Sequence, residues 1–205
     1  MSDWRQIHER YLRGDIEAII RRKTAYKMPL LSRVCDYARG SILETGCGTA
    51  TSLIWLARRM HSVAGVDSDP ASNLLARQLS IDANVNIPLV TADIGTLPFR
   101  DGQFSIAFSN GVMEHFDDER IRALTREQLR VAETVFLSVP SRQYSDECRT
   151  YGDERFMTAE RWGGVLSPFR VIDRFGFHDT PSVEQQRLAP TDIEYYQFLC
   201  FVLQR

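Results

Sequence analysis

Ile42-Leu43-Glu44-Thr45-Gly46-Cys47-Gly48-Thr49-Ala50 is the stretch of this sequence that decides its fold. An apolar run ends in an acid, and two closely spaced glycines then lead into a helical pattern. Glycine has no Cβ atom, so Gly46 and Gly48 permit a tight turn from strand to helix and let a ligand lie against bare backbone. The stretch therefore predicts a strand, a turn and a helix that together hold a nucleotide-like molecule.

Outward from this turn, short apolar strands alternate with helical segments, a pattern typical of a parallel sheet with helices on both faces. Nothing helical separates the last two strands, so we expect them to close the sheet as an antiparallel pair. The sequence thus predicts a doubly wound, seven-stranded, mostly parallel α/β sheet. Its predicted strands are Ser41–Thr45, Ser62–Asp67, Asn86–Ala92, Phe104–Ser109, Thr134–Val139, Phe169–Phe175 and Glu194–Leu203. Its predicted helices are Asp3–Lys23, Pro29–Ala38, Thr51–Met60, Ala71–Ser80, Glu119–Arg130 and Thr158–Leu166.

The length and charge of the chain narrow its class. A chain of 205 residues can bury one substantial core, so we predict a single domain, residues 1–205. Within it, residues 1–40 are expected to form N-terminal helices that act as a lid, and residues 41–205 the ligand-binding core. The 27 acidic and 25 basic residues nearly balance, so neither a nucleic-acid partner nor a membrane surface is expected.

Cysteine usage and hydropathy point to a cytoplasmic protein. The four cysteines are scattered and lack paired metal-ligand spacing, so we predict reduced thiols and no metal site. Neither a basic-then-apolar leader nor an apolar run of membrane-spanning length is visible. The sequence leaves the oligomeric state open.

Polar and acidic residues end four of the predicted strands. Ligands of a doubly wound sheet bind beyond the carboxyl ends of its strands. The first strand supplies Glu44 and the glycine turn, the second ends in Asp67-Ser68, and the third in Asp93-Ile94. The fourth ends in the segment Asn110–Phe116, which contains His115. We therefore expect these side chains to surround one ligand site.

At these residues the chain resembles the class I S-adenosylmethionine-dependent methyltransferases, which have a Rossmann-like fold. It is most similar to their small-molecule, methyltransferase type 11-like group. The glycine stretch matches the family's first motif, an acid followed by Gly-x-Gly, with Ala50 in place of the motif's third glycine. Leu97-Pro98-Phe99 and Asp101-Gly102-Gln103-Phe104 match the family's approach to its fourth strand.

The resemblance implies that the cofactor is S-adenosylmethionine and that S-adenosylhomocysteine is released. Asp67 then holds the ribose hydroxyls, Asp93 accepts from the adenine amino group, and Ile94 lines the base pocket. Asn110 lies beside the methionine part of the cofactor. The expected cofactor-binding residues are Glu44, Gly46, Cys47, Gly48, Asp67, Ser68, Asp93, Ile94 and Asn110.

Two other functions stay open from the residues. An NAD-dependent Rossmann oxidoreductase would share the topology, but the position of Glu44 is usually apolar in that class. A carboxylate suits the cationic sulfonium and ammonium of S-adenosylmethionine, whereas a pyrophosphate prefers a helix N-terminus without nearby anions. A non-catalytic S-adenosylmethionine-binding module would need the same binding residues, because methyl transfer requires no nucleophilic side chain of the protein.

His115 is the candidate catalytic residue. Imidazole titrates near neutrality, which suits removal of a proton from an attacking hydroxyl or amine. The other interpretation is a histidine that packs near the ligand or caps the following helix. The acceptor itself is not readable. The segment after the fourth strand lacks the Asn/Asp-Pro-Pro-aromatic signature of amino-methylating nucleic-acid enzymes, and no basic stripe is present. A small-molecule acceptor is favoured by elimination.

Overall fold

The computed structural model describes residues 14–144, 152–178 and 193–205. Its centre is one seven-stranded sheet with the order β3-β2-β1-β4-β5-β7-β6. The first five strands run parallel, and β7 is antiparallel to both of its neighbours. The strands are β1 Ile42–Thr45, β2 Val63–Asp67, β3 Leu89–Thr91, β4 Phe104–Asn110, β5 Ala132–Pro140, β6 Arg170–Phe177 and β7 Phe198–Gln204. The predicted sheet and its antiparallel C-terminal pair are confirmed.

Six α-helices lie within the described ranges. Two precede β1, and the others connect or follow the strands as the alternating pattern predicted. The helices are α1 Ile16–Ala25, α2 Met28–Tyr37, α3 Thr51–Ala57, α4 Pro70–Asp82, α5 Asp118–Val131 and α6 Ala159–Leu166. Asp69 caps α4, because its carboxylate accepts from the backbone amides of Ala71 and Ser72.

Side chains alternate between the two faces of the sheet and form two apolar layers. Ile42 packs into the layer that α1, α2 and α3 cover, and its neighbour Leu43 packs into the layer under α5 and α6. Both residues are completely buried. A strand buried on both faces must be apolar at consecutive positions, which explains the unbroken apolar runs in the sequence. The doubly wound architecture follows from these two layers.

Two predicted strands differ from those observed. The third was expected over Asn86–Ala92, but only Leu89–Thr91 pairs with β2. Pro88 has no amide hydrogen to donate, and its carbonyl instead accepts from Gly65, which starts the ladder. The last strand was expected from Glu194 but begins at Phe198, because Ile193–Tyr195 forms a 3₁₀ turn.

The predicted N-terminal helix can be compared with the structure only in part. The helix expected over Asp3–Lys23 appears as α1 from Ile16, with Asp15 as its cap. Residues 1–13 lie outside the described residues, as does Cys148. None of the helices in the described part of the chain has the length and apolar character needed to cross a membrane.

Candidate cofactor and acceptor site

One cavity of about 550 Å³ opens at the carboxyl ends of β1, β2 and β4. Its floor is the glycine turn after β1, and Tyr26, between α1 and α2, forms part of its wall. The segments that follow β4 and β5 complete its lining. Of the nine predicted cofactor-binding residues, eight line this cavity, namely Glu44, Gly46, Cys47, Gly48, Asp67, Ser68, Ile94 and Asn110. His115 also lines it.

The glycine turn has the left-handed backbone that its sequence predicted. Gly46 and Gly48 have φ angles of 68° and 50°, and Ala50 follows at 54°. A Cβ atom on Gly46 would lie 2.6 Å from Cγ2 of Val112, so only glycine fits there. Alanine in place of the third glycine thus adopts a left-handed conformation that costs about 1 kcal/mol.

Glu44 is a buried carboxylate with an unused oxygen. Its side chain lies at the end of β1, where the residue is 3% exposed. Oε2 has no hydrogen-bond partner among the described residues. Burial raises the pKa of Glu44 to about 7, although the nearby Lys27 ammonium and the Ser52 hydroxyl favour the ionised form. A buried acceptor without a donor is costly, so this carboxylate is suited to receive a cationic ligand group.

Asp67 connects the end of β2 to the glycine turn. Its Oδ2 accepts from the amide of Gly48 at 2.7 Å, and its Oδ1 from the amide of Asp69 at 3.0 Å. Burial raises the pKa of this carboxyl, and the two amide hydrogen bonds oppose that rise. Each oxygen retains a second lone pair, and both Asp67 and Ser68 line the cavity.

Asp93 is the predicted site residue that does not line the cavity. Its side chain is 57% exposed, and its Oδ1 lies 2.7 Å from Nη2 of Arg120 on α5. The same oxygen accepts from the amide of Gly95, so Asp93 caps the short turn Ile94–Thr96. Its neighbour Ile94 is buried and lines the cavity. The sequence placed the residue at the right strand end, but Arg120 is 27 positions away and gave no local signal of this ion pair.

Asn110 ends β4 and is held from two sides. Its Oδ1 accepts from the Ser138 hydroxyl at 2.9 Å, and its Nδ2 donates to the Tyr26 hydroxyl at 3.4 Å. The second contact connects the sheet edge to the segment between α1 and α2. The N-terminal helices therefore contribute directly to the wall of the cavity.

His115 pairs with an acid that sequence reasoning missed. Its Nδ1 lies 2.9 Å from Oδ1 of Asp153, in the segment that precedes α6. Glu154 and the buried Glu114 line the same end of the cavity. Each of His115, Asp153 and Glu154 offers one potential metal-ligating atom, and these atoms lie within 4.8 Å of one another. The residues 152–156 show no hydrophobic period, so their location could not be predicted from the sequence.

Further lining residues come from α1 and its connection to α2, from the segments between β5 and α6, and from β7. Lys23 and Lys27 reach the cavity beside the glycine turn, and Tyr144, Phe156 and Phe198 form an aromatic wall. Tyr144 makes edge-on contacts with both phenylalanines, at ring-centroid distances of 5.5 and 5.1 Å. The sequence offered Tyr144 as a possible pocket wall, and tertiary structure sets it against Phe156 and Phe198 at the cavity.

Comparison with known proteins finds methyltransferases. A methyltransferase-domain family model matches residues 42–134. An uncharacterized methyltransferase of Bacillus subtilis (strain 168) is 23% identical over 181 residues, which cover 83% of this chain and 72% of that protein.

Solved structures share the fold. Magnesium protoporphyrin IX methyltransferase from Synechocystis PCC 6803, with bound S-adenosylhomocysteine, superposes with a TM-score of 0.66 and 13% identity. The match covers 91% of this chain and 84% of that one. Geranyl diphosphate C-methyltransferase from Streptomyces coelicolor A3(2) gives a TM-score of 0.62 with 13% identity, covering 87% and 79%.

The family model, the relative and the shared fold support a class I S-adenosylmethionine-dependent methyltransferase. The resemblance drawn from its motifs is confirmed, and the cofactor of the family is S-adenosylmethionine, with S-adenosylhomocysteine as product. Nothing in the comparisons favours an NAD-dependent oxidoreductase. The orphaned oxygen of Glu44 beside a bare glycine turn fits the ammonium of that cofactor.

Proposed function

We propose that this protein transfers a methyl group from S-adenosylmethionine to a small-molecule acceptor that binds in the same cavity. One observation carries the proposal: a buried carboxylate with a free oxygen, Glu44, lies at a glycine turn that Asp67 joins to the next strand. When bound, the cofactor supplies a methyl group on a sulfonium, which is already an excellent leaving group. The protein then needs mainly to align the partners and exclude water.

The cofactor's parts can be assigned to side chains of the cavity. In this proposal Glu44 accepts from the ammonium, and Lys27, whose Nζ lies 3.3 Å from the Ser52 hydroxyl, faces the carboxylate. Asp67 and Ser68 bind the ribose hydroxyls, and Ile94 contacts the adenine. The backbone of Gly46, Cys47 and Gly48 and the amide of Asn110 hold the methionine part.

The contact between Asp93 and the adenine amino group stays a prediction. It would require the Asp93 side chain to leave Arg120, with which it forms an ion pair. That pair is largely exposed, and exposed ion pairs contribute about 1 kcal/mol or less. The rearrangement is therefore energetically accessible.

His115 is proposed as the general base. Its Nδ1 is turned to Asp153, and its ring lines the cavity in which the acceptor is proposed to bind. An adjacent carboxylate orients the imidazole and stabilises its protonated form. Asp153 is then a positioning residue, because it acts through His115.

The N-terminal helices are proposed to cover the site. Tyr26, Lys23 and Lys27 contribute to its wall from α1 and the connection to α2. Ile19 and Ile20 of α1 are buried in the sheet's apolar layer, which anchors this cover. A cavity bounded in this way has room for small molecules, in keeping with the small-molecule acceptor. The cytoplasmic location stays a prediction.

Calorimetry tests the proposal. We expect S-adenosylmethionine and S-adenosylhomocysteine to bind with 1:1 stoichiometry, and NAD not to bind. Incubation with methyl-labelled S-adenosylmethionine and a metabolite extract should then label a small molecule. Binding of NAD alone would overturn the assignment. Cofactor binding without any labelled product would indicate a non-catalytic S-adenosylmethionine-binding module.

A further inference from the structure

Acidic side chains cluster on one part of the cavity wall. Glu114, Asp153 and Glu154 all line it, and His115 lies among them. The backbone holds this group together, because the amide of Arg155 donates to the carbonyl of Glu114 at 2.9 Å. Asp153 has His115 as a partner, whereas the negative charges of Asp153 and Glu154 make a positive group beside Glu114 favourable.

Glu114 is the most deeply buried of the three acids. The residue is 4% exposed, and its Oε2 has no hydrogen-bond partner among the described residues. Burial, together with the negative charges of Glu154 and Asp153, raises the pKa of Glu114 to about 8. A cation that binds beside this buried carboxyl would therefore stabilise its ionised form.

Arg155, which follows Glu154 in the sequence, does not supply a positive charge to Glu114. The guanidinium of Arg155 donates to the carbonyl of Phe116 and to the carboxylate of Asp118. Arg155 is accordingly not among the residues that line the cavity. Lys23 and Lys27 line it at the glycine-turn end, where Lys27 lies beside Glu44 and Ser52.

An aromatic wall adjoins the acidic group. The segment of Asp153 and Glu154 continues to Phe156, whose ring contacts that of Tyr144. The bridge between Ser141 and Met157 sets this segment beside the end of β5. Aromatic faces attract organic cations and bury the apolar body that carries them. A metal ion would gain nothing from such a wall.

We propose that the methyl acceptor is an amine on an apolar body. It binds as the ammonium form between Glu114 and Glu154, with its body against Tyr144, Phe156 and Phe198. This inference rests on the proposed methyl transfer and names the substrate class of the same site. It follows from the juxtaposition of a buried unpartnered carboxylate, two further acids and an aromatic wall in one cavity.

The chemistry balances without any further reactant. The ammonium gives one proton to His115, the proposed base, and becomes a neutral amine. The nitrogen lone pair then forms the new bond to the methyl carbon, while the bond from that carbon to sulfur breaks and its electron pair goes to sulfur. The products are an N-methylammonium, neutral S-adenosylhomocysteine and a protonated His115 that returns its proton to solvent.

Three matched probes test the charge of the acceptor. 2-Phenylethylamine, 2-phenylethanol and 3-phenylpropanoate have similar size and carry a positive, neutral and negative group. Each is titrated into the complex of the full-length protein with S-adenosylhomocysteine. We expect the amine to bind at least about tenfold more tightly than the other two, and to be N-methylated when S-adenosylmethionine replaces the product.

Two variants locate the binding site, and a third serves as control. Glu114→Gln and Glu154→Gln should each weaken amine binding about tenfold, because each removes a charge-assisted contact. Glu133→Gln makes the same chemical change at an exposed position near the amino end of β5, whereas the cavity lies at the carboxyl ends of the strands. This variant should leave amine binding unchanged. Binding of S-adenosylhomocysteine by each variant shows that it is folded.

The outcomes separate the two proposals. Equal binding of the three probes, or preference for the acid, overturns the amine acceptor while cofactor binding still supports methyl transfer. Absence of S-adenosylhomocysteine binding overturns the proposed function itself. The same titrations with Mn²⁺ cover the remaining cation. Binding of Mn²⁺ that Glu154→Gln abolishes, without amine binding, would replace the amine by a metal ion at His115, Asp153 and Glu154.

Discussion

The carboxylate of Asp67 accepts a 2.7 Å hydrogen bond from the backbone amide of Gly48. This bond joins the end of β2 to the glycine turn that follows β1, so the two halves of the proposed cofactor site are held in one arrangement. Substitution of Asp67 by alanine removes both this bond and the proposed contact to the ribose. We expect affinity for S-adenosylhomocysteine to fall by about 1–3 kcal/mol, measured by calorimetry.

Asn at this position separates the two effects. Asp67→Asn keeps one oxygen that can accept from Gly48, so the turn is retained and the loss should be smaller than in the alanine variant. Wild-type affinity in Asp67→Ala would show that the ribose does not bind there.

Gly46 permits a test of the turn's geometry. Gly46→Ala places a side chain at a φ of 68° and a Cβ atom 2.6 Å from Val112. We expect it to lower the free energy of unfolding by about 2 kcal/mol or more, and to weaken cofactor binding. Chemical denaturation and calorimetry measure the two effects.

Gly163→Ala is the matched control for this substitution. Gly163 lies within α6, and a Cβ atom there would have no heavy atom within 4 Å. Alanine is a better helix former than glycine, so this variant should gain about 0.5–1 kcal/mol. Equal stability changes in both variants would contradict the steric explanation.

Glu44 should make cofactor affinity depend on pH. The buried carboxyl has a pKa of about 7, and burial is the main cause. Because an ammonium stabilises the ionised form, the proposed binding releases the proton that Glu44 carries below this pH. Affinity for S-adenosylhomocysteine should therefore rise as pH increases from about 5.5 to 7 and level off above.

Glu44→Gln should abolish this dependence and lower affinity at pH 7.5, since glutamine does not titrate. The same group has a stability effect of the opposite sign. A carboxyl with a raised folded-state pKa disfavours the folded state as pH rises from about 4.5 to 7 in the absence of ligand. A Glu44→Gln protein whose affinity still rose over this range would show that another group releases the proton.

His115 and Asp153 should differ in what they contribute. His115→Gln removes the proposed base, and kcat should fall by about 10²–10⁴ with the identified acceptor. Asp153→Asn keeps a side chain that can bond to the imidazole but removes its charge, so the fall in kcat should be smaller. Binding of S-adenosylhomocysteine should be the same in both variants. An unchanged kcat in His115→Gln would show that proton removal needs no side chain here.

Local pattern sufficed for most of the fold. The five parallel strands and the antiparallel pair were predictable because each strand is a short apolar run bounded by turn residues. Where the pattern misled, a local property of the backbone decided, as at Pro88, which cannot donate to the ladder that begins beside it. The start of β7 shows the same limit of local pattern, since the predicted strand began at Glu194 and the observed one begins at Phe198.

The candidate site was predictable where it is built from strand ends. Glu44, Asp67 and Asn110 end consecutive or adjacent strands, so topology alone brings them to one edge. Asp93 shows where this reasoning fails, because position on a strand end does not determine which way a side chain turns. The partner that holds it, Arg120, comes from α5.

By itself, then, the sequence determined the sheet, the glycine turn and the class of cofactor, because these depend on neighbours along the chain and on strand order. Only tertiary structure decided which side chains line the proposed acceptor part of the cavity. The acids at positions 153 and 154 and the rings of Tyr144, Phe156 and Phe198 come from segments far apart in the sequence. These side chains come together because of how those segments pack, which the hydrophobic periodicity of the sequence does not predict.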